Sequence, residues 1–443
     1  MTNRLQQLNR EYMAKADADP KRTEADFDKI VEYMKGSSAI HHGEYVRTCY
    51  MPKLFTASVF KTLQADITVL YGIFKKIMAA YYADPGYRAL FGFAPELEEL
   101  ILCSRHELSM LPMARIDFFY NDETGDYKFC EFNTDGTSAM NEDRELNLAQ
   151  SLSRVYREFT AEHAAYPCEL FDSWVNTFLS IYRQDKGAGA IPHVAIVDYM
   201  ECGTVNEFEE FKQHFAEQGI PAIVCDVREL SYDGKVLTGP DGEEIDAIYR
   251  RAVTSDVMNH YAESGALLAA VRDHAVLLVG DFHTQLIHNK TIYRIMQHPA
   301  TFAMLTPEEI AYVKAHVPFT TTLAGADLAE VAAHKDNWIL KPQDSYGSRG
   351  IHAGVENDEK TWHELVYSLD PENYLLQEFY MPYVSENYGL KDNVYGKNRY
   401  YNLTGIYTYD GVAQGVYSRV SLSPIISSQY SEKTLPTLIV PDE

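Results

Sequence analysis

The chain has 443 residues, of which 46% are hydrophobic and 23% are charged, a composition typical of a folded globular protein. A chain of this length exceeds what one hydrophobic core usually serves, so we expect two or three subdomains. Its 39 Lys and Arg against 64 Asp and Glu give a net charge of −25. Because binding to a phosphate backbone needs a surplus of positive charge, we expect no nucleic acid among its partners.

Signals for export, membrane insertion and zinc binding are not visible in the sequence. The N-terminal stretch is polar and charged, and no run approaches the roughly 18 apolar residues needed to span a bilayer. The six cysteines lie far apart, without a CxxC pair. We therefore expect a cytoplasmic protein with reduced thiols and no membrane partner, whose oligomeric state stays open.

The predicted elements divide the chain into four regions. Helices dominate the first region; a hairpin and then a long helical stretch at 142–183 follow in the second; short apolar strands alternate with a helix in the third; helices and then strands make up the fourth. This order predicts a mixed α/β (α+β) fold with a small Rossmann-like layer. The four regions are 1–110, 111–187, 188–285 and 286–443.

The hairpin, with strands at 115–120 and 128–133, carries the most informative residues. Side chains alternate between the two faces of a strand, so Arg115 and Asp117 share a face, as do Glu131 and Asn133, and pairing across the turn can bring them together. Hard Mg²⁺ prefers such oxygen ligands, which leaves the arginine to hold a phosphoryl group. The alternative is an exposed hairpin face with surface ion pairs.

Two later segments are suited to nucleotide binding, although each is weak evidence by itself. A strand delivers Lys341 into a loop with Gly347, where backbone N–H groups and the ammonium can meet phosphate oxygens; an ordinary turn has the same pattern. The apolar strand that ends in Gln377 and Glu378 suits an adenine-binding hinge, or is simply an edge strand. The segment 395–401 is interpreted as a surface loop, with a lid over the cleft as the alternative.

Taken together, these segments resemble the synthetase domain of glutathionylspermidine synthase and its relatives, a circularly permuted branch of the ATP-grasp ligases. The most specific similarity is that of the Arg-x-Asp-Phe strand and the Glu-Phe-Asn-Thr-Asp strand end. In the permuted branch the acidic set precedes the lysines, as it does here. The matching positions are Arg115, Asp117, Glu131, Asn133, Asp135, Ser138, Glu142, Lys290, Lys341, Gln377, Glu378 and Arg419.

The resemblance implies an ADP-forming C–N ligase that activates a carboxylate as an acyl phosphate and joins it to an amine, with ATP and Mg²⁺ as cofactors. Magnesium would be held by the hairpin set, Asp117, Glu131 and Asn133. ATP would be held by Lys290, Lys341, Gly347, Gln377 and Glu378. Arg115 and Arg419 would be catalytic, and Asp135, Ser138 and Glu142 would contact substrate.

The implied partners are a small-molecule or peptide carboxylate and an amine such as a polyamine. Two other readings stay open: an ATP-binding regulatory or interaction protein without turnover, and an ATP-grasp kinase that phosphorylates its substrate and stops.

Overall fold

The computed structural model describes residues 3–41, 43–344, 350–427 and 432–442. The α-helices are α1 Arg4–Asp17, α2 Pro20–Gly36, α3 Ala57–Ala83, α4 Pro85–Arg88, α5 Pro95–Cys103, α6 Met140–Gln150, α7 Arg154–His163, α8 Asp172–Lys186, α9 Val205–Glu217, α10 Thr254–Asn259, α11 Gly265–Arg272, α12 Gln285–His288, α13 Ile292–Met296, α14 Pro299–Phe302, α15 Pro307–His316, α16 Leu328–Ala333 and α17 Glu359–Ser368.

The strands are β1 Ile40–His41, β2 Glu44–Tyr45, β3 Lys53–Thr56, β4 Met113–Tyr120, β5 Tyr127–Asn133, β6 Tyr166–Pro167, β7 Val194–Asp198, β8 Ala222–Asp226, β9 Ser231–Tyr232, β10 Leu237–Thr238, β11 Glu244–Ile245, β12 Ala247–Arg250, β13 Leu277–Val279, β14 Thr320–Thr322, β15 Trp338–Pro342, β16 His352–Ala353, β17 Tyr374–Glu378, β18 Val384–Lys391, β19 Val394–Tyr409, β20 Val412–Ser421, β21 Lys433–Leu435 and β22 Thr437–Val440.

The N-terminal region is mainly helical, as predicted, but it also contributes a strand. Residues 53–56 form β3, and Thr56 then caps α3 by accepting a hydrogen bond from the Val59 N–H at 3.3 Å. Strand β3 pairs in parallel with β22, whose other neighbour is β6. A strand of the N-terminal region and the last strand of the chain therefore meet in one small sheet, which local sequence patterns do not reveal.

The central sheet has the order β21-β20-β19-β4-β5, and β18 pairs with β19. The predicted hairpin is confirmed: β4 and β5 pair antiparallel with Arg115 opposite Asn133 and Asp117 opposite Glu131. Strand β19 joins this hairpin to the C-terminal part of the chain by pairing with β4. Strands far apart in the sequence thus build one surface, and that surface carries the predicted site.

The loop or lid predicted at 395–401 is wrong, because these residues form the first half of β19. They pair with β18 through a tight turn at Asp392 and Asn393, both of which have positive φ. The Tyr388 and Tyr395 rings stack 5.6 Å apart, and Tyr400 is fully buried. The polar residues between these tyrosines suggested a loop, whereas alternate side chains pack inward.

The long helical stretch predicted at 142–183 is divided into α6, α7 and α8 with β6 between the last two. Ser153 starts α7 as its N-cap, and Ala164 ends it in the left-handed conformation, with φ of 50°. These breaks let the chain turn back twice. The shortened α6 begins close to the central sheet, which places its first turn beside the hairpin.

Two further sheets complete the mixed α/β architecture. The predicted Rossmann-like layer is a parallel sheet of order β13-β12-β7-β8, packed against α8 and α9. The second has the order β14-β17-β15-β16, with a small core around the buried Trp362. Among the described helices, none is both long and apolar enough to cross a bilayer.

Candidate active site

A cleft of about 550 Å³ opens between the three larger sheets. The hairpin β4–β5 and the strands β19 and β20 form its floor. Strands β15 and β17 close one end of the cleft, and the carboxyl ends of β7 and β12 close the other. Ligands commonly bind at the carboxyl ends of parallel strands and between subdomains, so this location suits a substrate site.

Asp117 lies at the centre of the predicted constellation and is almost fully buried. Arg115 donates to both of its oxygens, Nε to Oδ1 at 2.8 Å and Nη2 to Oδ2 at 3.1 Å. Arg419 and Asn133 also donate to Oδ2, at 2.8 and 3.1 Å. The structure therefore brings together four residues that the sequence assigned to one site. The alternative of an exposed face with surface ion pairs is wrong, since Asp117 is only 1% exposed.

Gly405 in β19 explains how Arg115 can reach the Asp117 carboxylate. It lies opposite Asp117 across the β4–β19 pair. A β-carbon at this position would fall against Oδ1 of Asp117 and within 3.0 Å of the Arg115 side chain. The absence of a side chain therefore makes room for the guanidinium–carboxylate contact.

The second pair of charges lies beside the first. Glu131 forms an ion pair with Lys290, with Oε1 and Nζ 3.0 Å apart. Burial alone would raise the pKa of the Glu131 carboxyl, but the neighbouring cations, Lys290 above all, lower it to about 2. This carboxyl is therefore ionised at neutral pH, as a metal ligand has to be.

Lys341 is a buried cation of the cleft. The residue is 7% exposed, its ammonium donates to the Cys130 carbonyl oxygen at 3.4 Å, and no carboxylate lies within ion-pair distance among the residues that the structure describes. Burial lowers its pKa. A buried ammonium with donors to spare beside a cleft is suited to an anion such as a phosphate.

The predicted hinge is placed at the same end, on β17. The Gln377 side-chain amide donates to the Thr320 hydroxyl at 2.9 Å and is buried, so it holds β14 and β17 together. Glu378 is exposed at the cleft, and its backbone N–H donates to the Phe319 carbonyl oxygen at 2.8 Å. Gly347 lies outside the described residues.

The loop after the hairpin carries the predicted substrate residues, which have different surroundings. Asp135 forms a buried ion pair with Arg250 at 2.7 Å and accepts a hydrogen bond from the Thr254 N–H at 2.7 Å. Ser138 lines the cleft, and its carbonyl oxygen accepts a hydrogen bond from Arg115 at 3.1 Å. Glu142 lines the cleft as well, whereas Asp135 mainly ties this loop to the Rossmann-like layer.

The neighbouring arginine is also engaged in an ion pair. Arg251 contacts Glu207 at 2.8 Å, so the Arg250–Arg251 doublet serves as an ion-pair site at a strand end. Gly136, between the loop and this strand, has a φ of +60°, and a β-carbon there would be 2.6 Å from the Val253 side chain. The loop therefore needs a glycine at this position to pack against the layer.

Among the cleft residues that sequence reasoning missed, Tyr417, Glu432 and Thr434 lie close to the two arginines. Tyr417 lies two positions before Arg419 on β20, so strand alternation places both on one face and could have identified it. Its ring centre lies 4.8 Å from the Arg115 guanidinium carbon and 5.7 Å from that of Arg419. Glu432 accepts a hydrogen bond from Arg419 at 3.4 Å, and no local pattern distinguishes it.

The donor chemistry of the cleft fits a polyphosphate and a divalent cation. Two carboxylates and an amide oxygen, the ligand types that Mg²⁺ prefers, lie on adjacent strands in Asp117, Glu131 and Asn133. Cationic side chains surround them on two sides. Asp117 and Glu131 are each paired with a cationic side chain of the protein. A metal ion would have to take the place of these cations beside the carboxylates, and a phosphate would have to take the place of the carboxylates beside the cations.

Comparison with solved structures gives the fold. The protein is similar to a glutathione synthetase-like effector from Globodera pallida in its apo form, with a TM-score of 0.61 and 12% identity over 95% of this chain and 98% of the other. At this identity the likeness establishes a shared fold alone. A putative γ-glutamylcysteine synthetase from Methylobacillus flagellatus KT matches with a TM-score of 0.43 and 10% identity, over 87% of this chain and 89% of the other. No protein-family model and no curated protein matches the sequence.

Proposed function

We propose that the protein is an ATP-dependent carboxylate–amine ligase of the ATP-grasp type, in the permuted, glutathionylspermidine synthase-like form. One observation carries the proposal: the charged side chains of Arg115, Arg419, Lys290, Lys341 and Glu131 line one cleft, and the buried Asp117 is held by both arginines. Such a set positions and neutralises a transferring phosphoryl group, which is most of what phosphoryl transfer requires from a protein. The fold shared with the glutathione synthetase-like effector accords with this chemistry.

The residues divide into two groups by position. Asp117, Glu131 and Asn133 would hold Mg²⁺, which when bound supplies charge neutralisation for the phosphates. Lys341 and Lys290 would bind the ATP phosphates. Lys341 already presents unused donors to the cleft, and Lys290 would exchange Glu131 for a phosphate oxygen. The adenine would lie against β17, beside the backbone at Gln377 and the exposed carboxylate of Glu378.

The reacting carboxylate would lie on the other side of the arginines. Arg115 and Arg419 would stabilise the phosphoryl group and then the acyl phosphate, because both guanidinium groups reach the same point above Asp117. Ser138 and Glu142 line the part of the cleft beyond them and would contact substrate. Asp135 would act on the substrate only through the shape of its loop, since Arg250 occupies its carboxylate.

The test is Mg²⁺-dependent ADP release from ATP across a panel of acids and amines. Glutathione, γ-glutamyl peptides and amino acids serve as acids, crossed with spermidine and amino acids as amines. Glu131→Ala is expected to lower stimulated turnover by roughly a hundredfold or more, because the metal loses a ligand. Glu364→Ala is the matched control: Glu364 also pairs with a lysine, Lys360, but at 3.9 Å and on an exposed helix face.

The outcomes separate the three candidate functions. A ligase requires both an acid and an amine for sustained ADP release, and with hydroxylamine it yields a hydroxamate of the acid. A kinase releases ADP with one substrate and leaves a stable phosphorylated product. If ATP binds but no pair of substrates stimulates turnover, and the wild type and Glu131→Ala release ADP equally slowly, the ligase function is contradicted and the regulatory protein is favoured.

A further inference from the structure

Glu142, in the first turn of α6, is placed one aromatic ring away from the arginines of the site. Its Oε2 accepts hydrogen bonds from the Tyr417 hydroxyl at 2.7 Å and the Thr434 hydroxyl at 3.3 Å. The Tyr417 ring in turn lies against the guanidinium groups of Arg115 and Arg419. The carboxylate therefore faces the cleft next to the point where an acyl phosphate would be held.

Glu142 differs from the other carboxylates around these arginines in what holds it. Asp117 is bound by two guanidinium groups, Glu131 by Lys290, Asp135 by Arg250, and Glu432 by Arg419. A carboxylate clamped by a cation holds a proton poorly, because the positive charge favours its ionised form. In the part of the chain that the structure describes, Glu142 is hydrogen-bonded only to neutral hydroxyl groups.

The surroundings of Glu142 bring the pKa of its carboxyl close to neutral pH. Burial above all, together with the nearby Glu432 and Glu207, raises the pKa of this carboxyl to about 7, although the hydrogen bond from Tyr417 and the charge of Arg115 act in the opposite direction. A base of this strength is matched to proton transfer at neutral pH.

Amide formation creates the need for such a base. An aliphatic amine is an ammonium ion at neutral pH, so its nitrogen has no lone pair until a proton leaves. We propose that Glu142 is the general base that accepts this proton from the attacking amine. This inference rests on the proposed ligase function.

The step balances without any further reactant. The ammonium gives one proton to the Glu142 carboxylate, and the freed nitrogen attacks the acyl carbon. The bond between that carbon and the phosphate oxygen breaks, and its electron pair leaves with phosphate. The second nitrogen-bound proton passes to the departing phosphate, the amide remains, and Glu142 returns its proton to solvent through the cleft.

Asp198 is the obvious competitor, because it also lines the cleft and burial raises its pKa to about 7. It lies at the carboxyl end of β7, where its Oδ1 accepts a hydrogen bond from the Tyr199 N–H at 2.8 Å. It has no contact with the residues around Arg115 and Arg419 in the described structure. Asp198→Asn is therefore the matched comparison for Glu142→Gln.

The experiment compares two nucleophiles in the presence of MgATP and the acid that supports turnover in the panel above. One is the basic amine from that panel; the other is hydroxylamine, which is already unprotonated at neutral pH and needs no base. Glu142→Gln is expected to lower amide formation by roughly a hundredfold to ten-thousandfold and hydroxamate formation by a much smaller factor. Its amide rate should rise about tenfold per pH unit, following the free-amine fraction.

Each outcome decides the matter. Equal losses with both nucleophiles would give Glu142 a merely structural role and overturn the inference, and a selective loss in Asp198→Asn would transfer the role to Asp198. Absence of hydroxamate in the wild type with every acid would instead remove the ligase function itself. If Glu142→Gln does not fold, Tyr417→Phe tests the same point. This variant loses the hydrogen bond that favours the ionised form of Glu142, so the acidic limb of the pH profile for amide formation should move to higher pH. An unmoved limb contradicts the proposal.

Discussion

Breaking the buried ion pair between Asp135 and Arg250 should destabilise the whole chain. The two side chains are 2.7 Å apart and 1% and 0% exposed, and the pair joins the loop after the hairpin to β12 of the Rossmann-like layer. Asp135→Ala leaves a buried guanidinium without its counter-charge, a change that costs about 3–5 kcal/mol. It also removes the acceptor of the Thr254 N–H, worth about 1 kcal/mol.

Arg250 keeps its other hydrogen bonds in Asp135→Ala, so the expected loss of stability stays within about 3–5 kcal/mol. Its other nitrogens still donate to the carbonyl oxygens of Gly280 and Ala252. The double variant Asp135→Leu with Arg250→Met replaces both charged side chains by apolar ones. It should recover most of the loss, since replacing a buried pair by apolar side chains is often neutral.

Urea unfolding followed by circular dichroism measures these free energies of unfolding. Glu364→Ala provides the control, because its pair with Lys360 is solvent-exposed, and a change within about 0.5 kcal/mol is expected. A loss below about 1 kcal/mol for Asp135→Ala, or a double variant no more stable than the single one, would refute the reasoning.

Two further predictions concern the same region of the molecule. Burial raises the pKa of the Asp143 carboxyl to about 8, so the folded chain holds a proton that the unfolded chain releases. The wild type therefore loses stability as the pH rises from about 4 to about 8. Asp143→Asn carries no such proton, so its free energy of unfolding should rise relative to that of the wild type by about 1–4 kcal/mol between about pH 5 and pH 8. Urea unfolding measures this difference in stability, and a difference that does not change with pH would contradict the prediction. Gly405→Ala should cost about a hundredfold in MgATP-dependent turnover, because the added methyl group displaces the Asp117 carboxylate and the Arg115 side chain. Gly396→Ala, on the same strand with nothing within 4 Å of the added carbon, should leave turnover unchanged, and equal losses in both variants would contradict the argument.

Local patterns were sufficient for elements whose neighbours in space are also neighbours in sequence. The hairpin of β4 and β5 could be predicted with its facing residues, because alternation along two strands joined by a short turn determines which side chains meet. The strands β8 and β12 likewise follow from short apolar runs. The division of 142–183 could not be predicted, since the helical periodicity continues across the caps that end each helix.

The sequence by itself indicated which residues would come together: the oxygen-bearing side chains of the hairpin, the two lysines and the two arginines. Only the tertiary structure decided how they are paired, because Asp117 meets Arg419 through the pairing of β4 with β19 and of β19 with β20, across 302 positions of the chain. It also decided that Asp135 faces Arg250, whereas Glu142 faces the hydroxyl of Tyr417. The physical reason is that a side chain's charge is local information, whereas its partner, its burial and hence its proton affinity depend on strands that the sequence keeps far apart.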